Sequence, residues 1–171
     1  MAMTAPEFGE RRIKPGDEVI TTAVNFPTTV NAIIQAGAIP VFVDVALGTY
    51  VPDVEDIAEA IVEGKTKAVI LAHTMGNVFD AEAIEDLCRE YNIFMMSDCC
   101  DSLGSTFQEK PVESYGDIST HSYYPAHHIS GGEGGAVLTN SFMISKVVKS
   151  LRDWGRDCFC ATGQDAACGK R

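Results

Sequence analysis

The sequence lacks any apolar run long enough to cross a membrane as a helix, which takes about 18 residues. Its opening stretch, MAMTAPEFGERRIKPGDE, also lacks the apolar core of a secretory signal. Positive charge is scarce as well: the net charge is −11, which argues against a nucleic-acid partner because the phosphate backbone would repel the protein. We therefore expect a cytoplasmic protein that binds neither membranes nor nucleic acid.

A C-x-x-C pair, the usual knuckle of a structural zinc site, is absent too. The chain nevertheless has six cysteines, at positions 88, 99, 100, 158, 160 and 168. Because disulfides are rare in the reducing cytoplasm, metal ligation or catalysis is the better interpretation of so many thiols.

Four of these cysteines form a pattern that suits a metal site. Cys158 and Cys160 form a C-x-C pair, Cys168 follows after seven further residues, and Cys100 lies upstream with 57 residues between. Four thiolates hold either zinc or an iron–sulfur cluster, and this spacing fits a [2Fe–2S] cluster at least as well as zinc. Alternation along a strand predicts that Cys99 points away from Cys100, so that only one of the two is a ligand. The cysteine at position 88, in a predicted helix, is interpreted as a small core residue.

Apolar patterning alternates between strand and helix along most of the chain. Strands are predicted at 17–24, 39–45, 66–73, 93–98, 117–124 and 135–140, and helices at 26–37, 51–64, 80–92 and 141–155. This alternation predicts an α/β fold with a mostly parallel sheet flanked by helices. The last stretch is polar, rich in cysteine and without periodicity, so we expect a loop there.

Ligands of such sheets bind beyond the carboxyl ends of the strands. Three segments follow predicted strand ends, namely TTAVNF (21–26), SDCCDS (97–102) and SYYPAHH (122–128). Asp98, at the end of a buried strand, could hold a protonated ring nitrogen because opposite charges in a dry site favour both ionised forms. The alternative is that Asp98 caps a turn. Likewise, the glycines of GGEGG (131–135) could serve only a tight turn, and the two adjacent histidines could be ordinary surface residues.

Six segments together carry a resemblance to one known family: KPGDEVIT, FPTTVNAI, PVFVDV, SDCCDSLGST, YGDIST and GGEGGAVLTN. In these segments the chain resembles the DegT-type sugar aminotransferases. In that family the serine of an S-[FY] pair precedes the lysine that binds pyridoxal phosphate (PLP) covalently by five residues. Five residues after Ser122 stands His127. Histidine at this point is typical of the family's dehydrases, which hold pyridoxamine phosphate (PMP) without a covalent bond.

The resemblance implies the fold and its division. Residues 1–155 are expected to form part of the large domain of the type I, aspartate aminotransferase fold that PLP enzymes share, and residues 156–171 a truncated cysteine-rich iron–sulfur loop. The family's N-terminal phosphate-binding segment and its small C-terminal domain are missing, so we interpret the chain as a central fragment. Iron–sulfur members of the family carry C-x57-C-x-C-x7-C, and the cysteines of this chain match all three spacings.

The resemblance also implies roles for individual residues. His127 would be the catalytic base, and Asp98 would pair with the pyridinium nitrogen of the cofactor. Ser122 would bind the phosphate, Phe26 would stack on the ring, and Asp101 would lie near the ring hydroxyl.

The activity that the resemblance implies is PMP-dependent C3 dehydration of CDP-4-keto-6-deoxy-D-glucose in 3,6-dideoxyhexose (lipopolysaccharide) biosynthesis. Electrons would reach the site through a [2Fe–2S] cluster, charged by a flavin and iron–sulfur NADH reductase. A homodimer is also expected. The alternatives are a nucleotide-sugar dehydrase or aminotransferase without a cluster, an inactive fragment, and a zinc-binding module.

Overall fold

The computed structural model of the chain describes residues 1–156 and residue 164. In this part of the chain the strands are β1 (Glu18–Thr22), β2 (Ile39–Val43), β3 (Thr66–Ala72), β4 (Phe94–Asp98), β5 (Thr106–Phe107), β6 (Lys110–Pro111), β7 (Ile118–Ser122) and β8 (Gly135–Leu138). The α-helices are α1 (Pro27–Gln35), α2 (Val54–Ala60), α3 (Ala81–Glu90) and α4 (Phe142–Arg152). Short 3₁₀ helices lie at Ala2–Thr4, Pro6–Arg11, Thr74–Gly76 and Val112–Ser114.

Six strands form one sheet in the order β2-β1-β3-β4-β7-β8. The first five of these pair in parallel, and β8 pairs antiparallel with β7 at one edge. The predicted α/β fold with a mostly parallel sheet is therefore confirmed. The small hairpin of β5 and β6, which was not predicted, stands apart from this sheet.

Side-chain alternation along the central strands supplies a core on each face of the sheet. Ile20, Val69 and Met95 point to one face, where they pack with apolar residues of α2 and α3. Their neighbours Val19, Ala68 and Phe94 point to the other face, where they pack with residues of α1, α4 and the N-terminal segment. Each fully buried large apolar side chain stabilises the fold by about 1.5–3 kcal/mol. The cysteine at position 88 belongs to the first core, as predicted.

Side-chain caps set the start of two helices. The Asp80 carboxylate accepts a hydrogen bond from the Ala83 amide at 3.0 Å, and the Ser141 hydroxyl accepts one from the Ile144 amide at 3.3 Å. These bonds satisfy amides that the first helical turn leaves without partners.

Helix α2 is shorter than the predicted 51–64. It ends at Ala60, because the backbone of Val62 turns to bond with Thr66, the first residue of β3. The Val62 amide donates to the Thr66 hydroxyl at 2.9 Å, and the Thr66 amide donates to the Val62 carbonyl at 2.8 Å. These bonds, between residues four positions apart, form a separate turn in place of the helix's own last turn. No helix in the described part of the chain has the length and apolar character needed to span a bilayer.

The glycine-rich turn between β7 and β8 is closed by backbone hydrogen bonds. The Tyr123 amide donates to the Gly134 carbonyl at 3.0 Å, and the Gly131 amide donates to the Tyr123 carbonyl at 2.8 Å. A Cβ atom at Gly135 would lie 2.7 Å from the His121 carbonyl oxygen, which is backbone and cannot move aside cheaply. Glycine at this position therefore lets β8 approach β7 closely.

We expect Gly135→Ala to destabilise the protein by about 1–3 kcal/mol, the cost of forcing an atom into a filled space. Gly131→Ala is the matched control, since the nearest atom to its Cβ would be the Tyr123 Cβ at 3.3 Å and backbone would lie no closer than 4.0 Å. Thermal unfolding of the full-length protein measures both variants. A midpoint for Gly135→Ala equal to or above that of Gly131→Ala would contradict the close-approach explanation.

Candidate active site

A cavity of about 810 Å³ opens at the carboxyl ends of the parallel strands. Its lining includes six of the residues singled out from the sequence: Phe26, Asp98, Cys100, Asp101, Ser122 and His127. They come from the ends of β1, β4 and β7 and the loops that follow. The site lies where ligands of parallel sheets are expected.

Asp98 is the last residue of β4 and is held from two sides. Its Oδ2 accepts a hydrogen bond from the Thr29 hydroxyl at 2.8 Å, and its Oδ1 accepts one from the Cys100 amide at 3.1 Å. The second bond is a local turn contact, so the turn-capping interpretation of Asp98 also describes the structure. A carboxylate oxygen accepts more than one hydrogen bond, so both oxygens keep capacity for a ligand.

Thr29, in the first turn of α1, is a site residue that sequence reasoning missed. It is separated from Asp98 by 69 positions, and its side chain is buried. No local pattern marks it, because a threonine in a first helical turn is ordinary. Only the packing of α1 against the strand ends brings its hydroxyl to the carboxylate.

Phe26 and Ser122 line the same cavity from β1 and β7. Phe26 is 70% exposed and stands immediately before α1, so its ring is available to a flat ligand. Ser122 ends β7, and its hydroxyl accepts a hydrogen bond from the Tyr124 amide at 3.2 Å, which leaves the hydroxyl hydrogen free to donate.

His127 and Asp101 both line the cavity and lie in contact with each other. Nδ1 of His127 lies 3.2 Å from Oδ1 of Asp101, and the two side chains are 24% and 50% exposed. The His127 amide donates to the Tyr124 carbonyl at 2.9 Å, which holds the histidine backbone in a turn. The sequence suggested no pairing between these two residues.

The two adjacent cysteines differ in burial, as the predicted alternation requires. Cys99 is fully buried, whereas Cys100 is half-buried and lines the cavity. Burial, together with the hydrogen bond and the negative charge of Asp98, raises the pKa of the Cys100 thiol to about 12. A metal would have to displace this proton, since coordinated thiols are deprotonated.

Cys158, Cys160 and Cys168 lie outside the described residues. Within residues 1–156 and 164, no group of three or more His, Cys, Asp or Glu side chains is arranged to hold a metal ion. The proposed cluster ligands thus include one described residue, Cys100, at the cavity.

His73, just beyond β3, is a second residue that sequence reasoning missed. It is fully buried, stacks on Phe79 with ring centroids 4.0 Å apart, and its amide donates to the Asp98 carbonyl at 3.1 Å. Among the described residues neither of its ring nitrogens has a hydrogen-bond partner. Burial lowers the pKa of His73 to about 4, although the negative charge of Asp98 acts in the opposite direction. The imidazole beside the site is therefore neutral at pH 7.

A family model matches most of the chain. Residues 1–166 match the DegT/DnrJ/EryC1/StrS aminotransferase family.

Two curated relatives match nearly the whole chain. The chain is 54% identical to the lipopolysaccharide biosynthesis protein RfbH of Salmonella typhimurium, over 99% of this chain and 39% of that protein. It is 51% identical to the dTDP-4-dehydro-2,6-dideoxy-D-glucose 3-dehydratase of Saccharopolyspora spinosa, over 99% of this chain and 37% of that protein. The chain thus spans less than two fifths of the length of these relatives.

Solved structures with the same fold also match more than nine tenths of this chain. A GDP-4-keto-6-deoxymannose-3-dehydratase with a trapped PLP-glutamate geminal diamine superposes with a TM-score of 0.83 and 30% identity, over 91% of this chain and 39% of that one. The aminotransferase from Psychrobacter cryohalolentis superposes with a TM-score of 0.82 and 29% identity, over 95% of this chain and 42% of that one. The described fold is therefore part of a PLP-dependent aminotransferase fold.

The lowered pKa of His73 predicts a pH-dependent stability. The unfolded chain binds a proton at this histidine near its ordinary pKa of about 6.5, whereas the folded protein resists it down to about 4. The free energy of unfolding should therefore fall as the pH drops from about 6.5 to about 4. Denaturation across this range measures it, and His73→Asn should flatten the dependence. An unchanged dependence in that variant would contradict the prediction.

Proposed function

The chain belongs to the DegT/DnrJ/EryC1/StrS aminotransferase family, and from this premise we propose that the longer polypeptide carrying it is a PMP-dependent sugar 3-dehydratase. The observation that carries the proposal is that His127 lines the cavity. By its resemblance to the family, this histidine, five residues after Ser122, corresponds to the cofactor-binding lysine of the aminotransferases. A histidine cannot bind the aldehyde cofactor as lysine does. Identity of 51% to a sugar 3-dehydratase supports the same reaction type.

The residues around the cavity fit the coenzyme. Asp98 presents a carboxylate, oriented by Thr29, to a cationic ring nitrogen. The Ser122 hydroxyl suits a phosphate group, and the exposed ring of Phe26 suits the face of a heteroaromatic ring. The neutral, buried His73 adds no positive charge that would compete for Asp98.

When bound, PMP would supply an amine that condenses with a keto sugar and a ring that accepts electrons. Asp98 would keep the ring nitrogen protonated, because an ionised carboxylate in a partly dry site favours the cationic form. His127 would take a proton from the carbon that bears the amine, and an imidazole suits such a transfer near pH 7. It would return that proton to the departing C3 hydroxyl of the sugar, so that the hydroxyl leaves as water.

The finer proposal concerns the substrate and the electrons. We assign the substrate as CDP-4-keto-6-deoxy-D-glucose and the metal group as a [2Fe–2S] cluster held by Cys100, Cys158, Cys160 and Cys168. The cysteine spacing supports the cluster, and the opening of Cys100 into the cavity would bring it beside the coenzyme. A flavin and iron–sulfur NADH reductase would supply electrons to the cluster, and a homodimer would complete the site. Residues 1–155 then belong to the PMP-binding large domain, and 156–171 to the cluster loop.

Two alternative functions can be distinguished by experiment. A dehydrase or aminotransferase without a cluster would need no iron, and a zinc-binding module would contain zinc alone. Metal and sulfide analysis of the anaerobically purified full-length protein separates them, since a cluster requires iron with equimolar sulfide.

We expect His127→Lys in the full-length protein to bind PLP covalently and to lose dehydration. The new amine can attack the aldehyde, whereas the base that moves the proton is gone. Borohydride reduction followed by peptide mapping detects the covalent bond at residue 127, and release of the C3 hydroxyl measures the reaction. His128→Lys, at the exposed neighbouring position, is the control and should do neither. Dehydration at the normal rate in His127→Lys would overturn the assignment of the base.

Cys160→Ser should separate dehydration from reduction. His127, Asp98 and Ser122 act without iron, so exchange of the C3 hydroxyl with labelled water should persist. Reductase-dependent formation of the deoxysugar should disappear together with the iron. Cys88→Ser, in the core of the sheet and away from the cavity, is the control for thiol loss. Normal deoxysugar formation by Cys160→Ser would favour the dehydrase without a cluster.

A further inference from the structure

We propose that Asp101 is a positioning residue for His127: it accepts the Nδ1 hydrogen and thereby presents Nε2 to the cavity. The inference deepens the proposed function and rests on it, because it gives the catalytic base a partner. It also differs from the role expected for Asp101 at the ring hydroxyl of the coenzyme.

The pair is built from neighbouring strand ends. Asp101 lies three residues beyond β4, and His127 lies in the turn beyond β7, which is the strand paired with β4. Their closest atoms, Oδ1 and Nδ1, are 3.2 Å apart. This distance is within hydrogen-bond range for a nitrogen donor and a carboxylate oxygen.

Backbone contacts hold both partners. The His127 amide donates to the Tyr124 carbonyl at 2.9 Å. The turn after β3 packs against the other partner, so closely that a Cβ atom at Gly76 would lie 3.2 Å from the Asp101 carbonyl oxygen. Three successive strand ends therefore fix the geometry of the pair.

The chemistry of the two groups sets the position of the hydrogen. An ionised carboxylate only accepts hydrogen bonds, and a neutral imidazole carries one hydrogen on one of its two nitrogens. Next to Asp101, that hydrogen belongs on Nδ1, which leaves the lone pair of Nε2 free to take a proton. When His127 becomes charged, the carboxylate stabilises the imidazolium, as in other carboxylate–histidine pairs of enzymes.

The first readout is the tautomer of His127, which does not depend on activity. Nitrogen-15 NMR of the PMP-free, full-length protein, labelled at histidine and assigned with His127→Asn, should show the Nδ1–H tautomer. In Asp101→Leu the acceptor is gone, and in Asp101→Asn the amide can donate to Nδ1 instead. Both variants should therefore shift toward Nε2–H. Glu90→Gln, at the exposed end of α3, removes a carboxylate elsewhere and should leave the tautomer unchanged.

The second readout is the reaction itself. Exchange of the C3 hydroxyl should fall about 10²–10⁴-fold in Asp101→Asn, the usual contribution of a general base, while the affinity for PMP changes little. If the His127 tautomer stays the same in both Asp101 variants, the inference is overturned. It is also overturned if exchange is unchanged, or if the main loss is in PMP affinity, which would indicate a contact to the coenzyme.

The design separates this inference from the proposed function. If the wild-type protein shows the tautomer that depends on Asp101 but never releases the C3 hydroxyl with PMP, the proposed function fails while the pairing of Asp101 with His127 is supported. If the wild type is active and the His127 tautomer does not depend on Asp101, the proposed function is supported while the pairing of Asp101 with His127 fails.

Discussion

The carboxylate of Asp98 is the contact on which the rest of the site depends. It receives one hydrogen bond from Thr29 in α1 and one from the turn that follows β4, so it ties a helix to the end of a central strand. Its backbone carbonyl also accepts the amide of His73 beyond β3. A negative charge held in this way in the lining of a cavity favours a cationic partner over a neutral one.

Burial shifts the pKa values of Cys100 and His73 in opposite directions for one physical reason. It raises the pKa of Cys100 to about 12 and lowers that of His73 to about 4, because a low-dielectric environment disfavours the charged form of either side chain. Both groups are therefore neutral at pH 7 in the protein as described. Asp98 and Asp101 supply negative charge beside Cys100, and Asp98 also acts on His73.

The sheet explains why residues far apart in the chain meet. Parallel strands all end at one edge, so the loops after β1, β3, β4 and β7 converge there, each with short polar or aromatic side chains. The antiparallel β8 adds a different feature, since its first residue must be glycine to lie against the His121 carbonyl. The glycine at this position is therefore required by close backbone packing beside Ser122.

The sequence by itself determined the main secondary-structure elements and the candidate site residues. Apolar periodicity predicted the strands and helices of the main sheet, because alternation and helical spacing are local properties of the chain. Alternation also predicted the difference in burial between Cys99 and Cys100. The count of five residues from Ser122 to His127 needs only the order of residues in the chain. Local patterns predicted the end of α2 less well, because the bonds between Val62 and Thr66 override its last turn.

Tertiary structure alone decided the pairing of Thr29 with Asp98, the pairing of Asp101 with His127, and the burial that keeps His73 neutral. Those depend on which loops and helices meet at the edge of the sheet, and no local pattern records a contact between residues 69 positions apart.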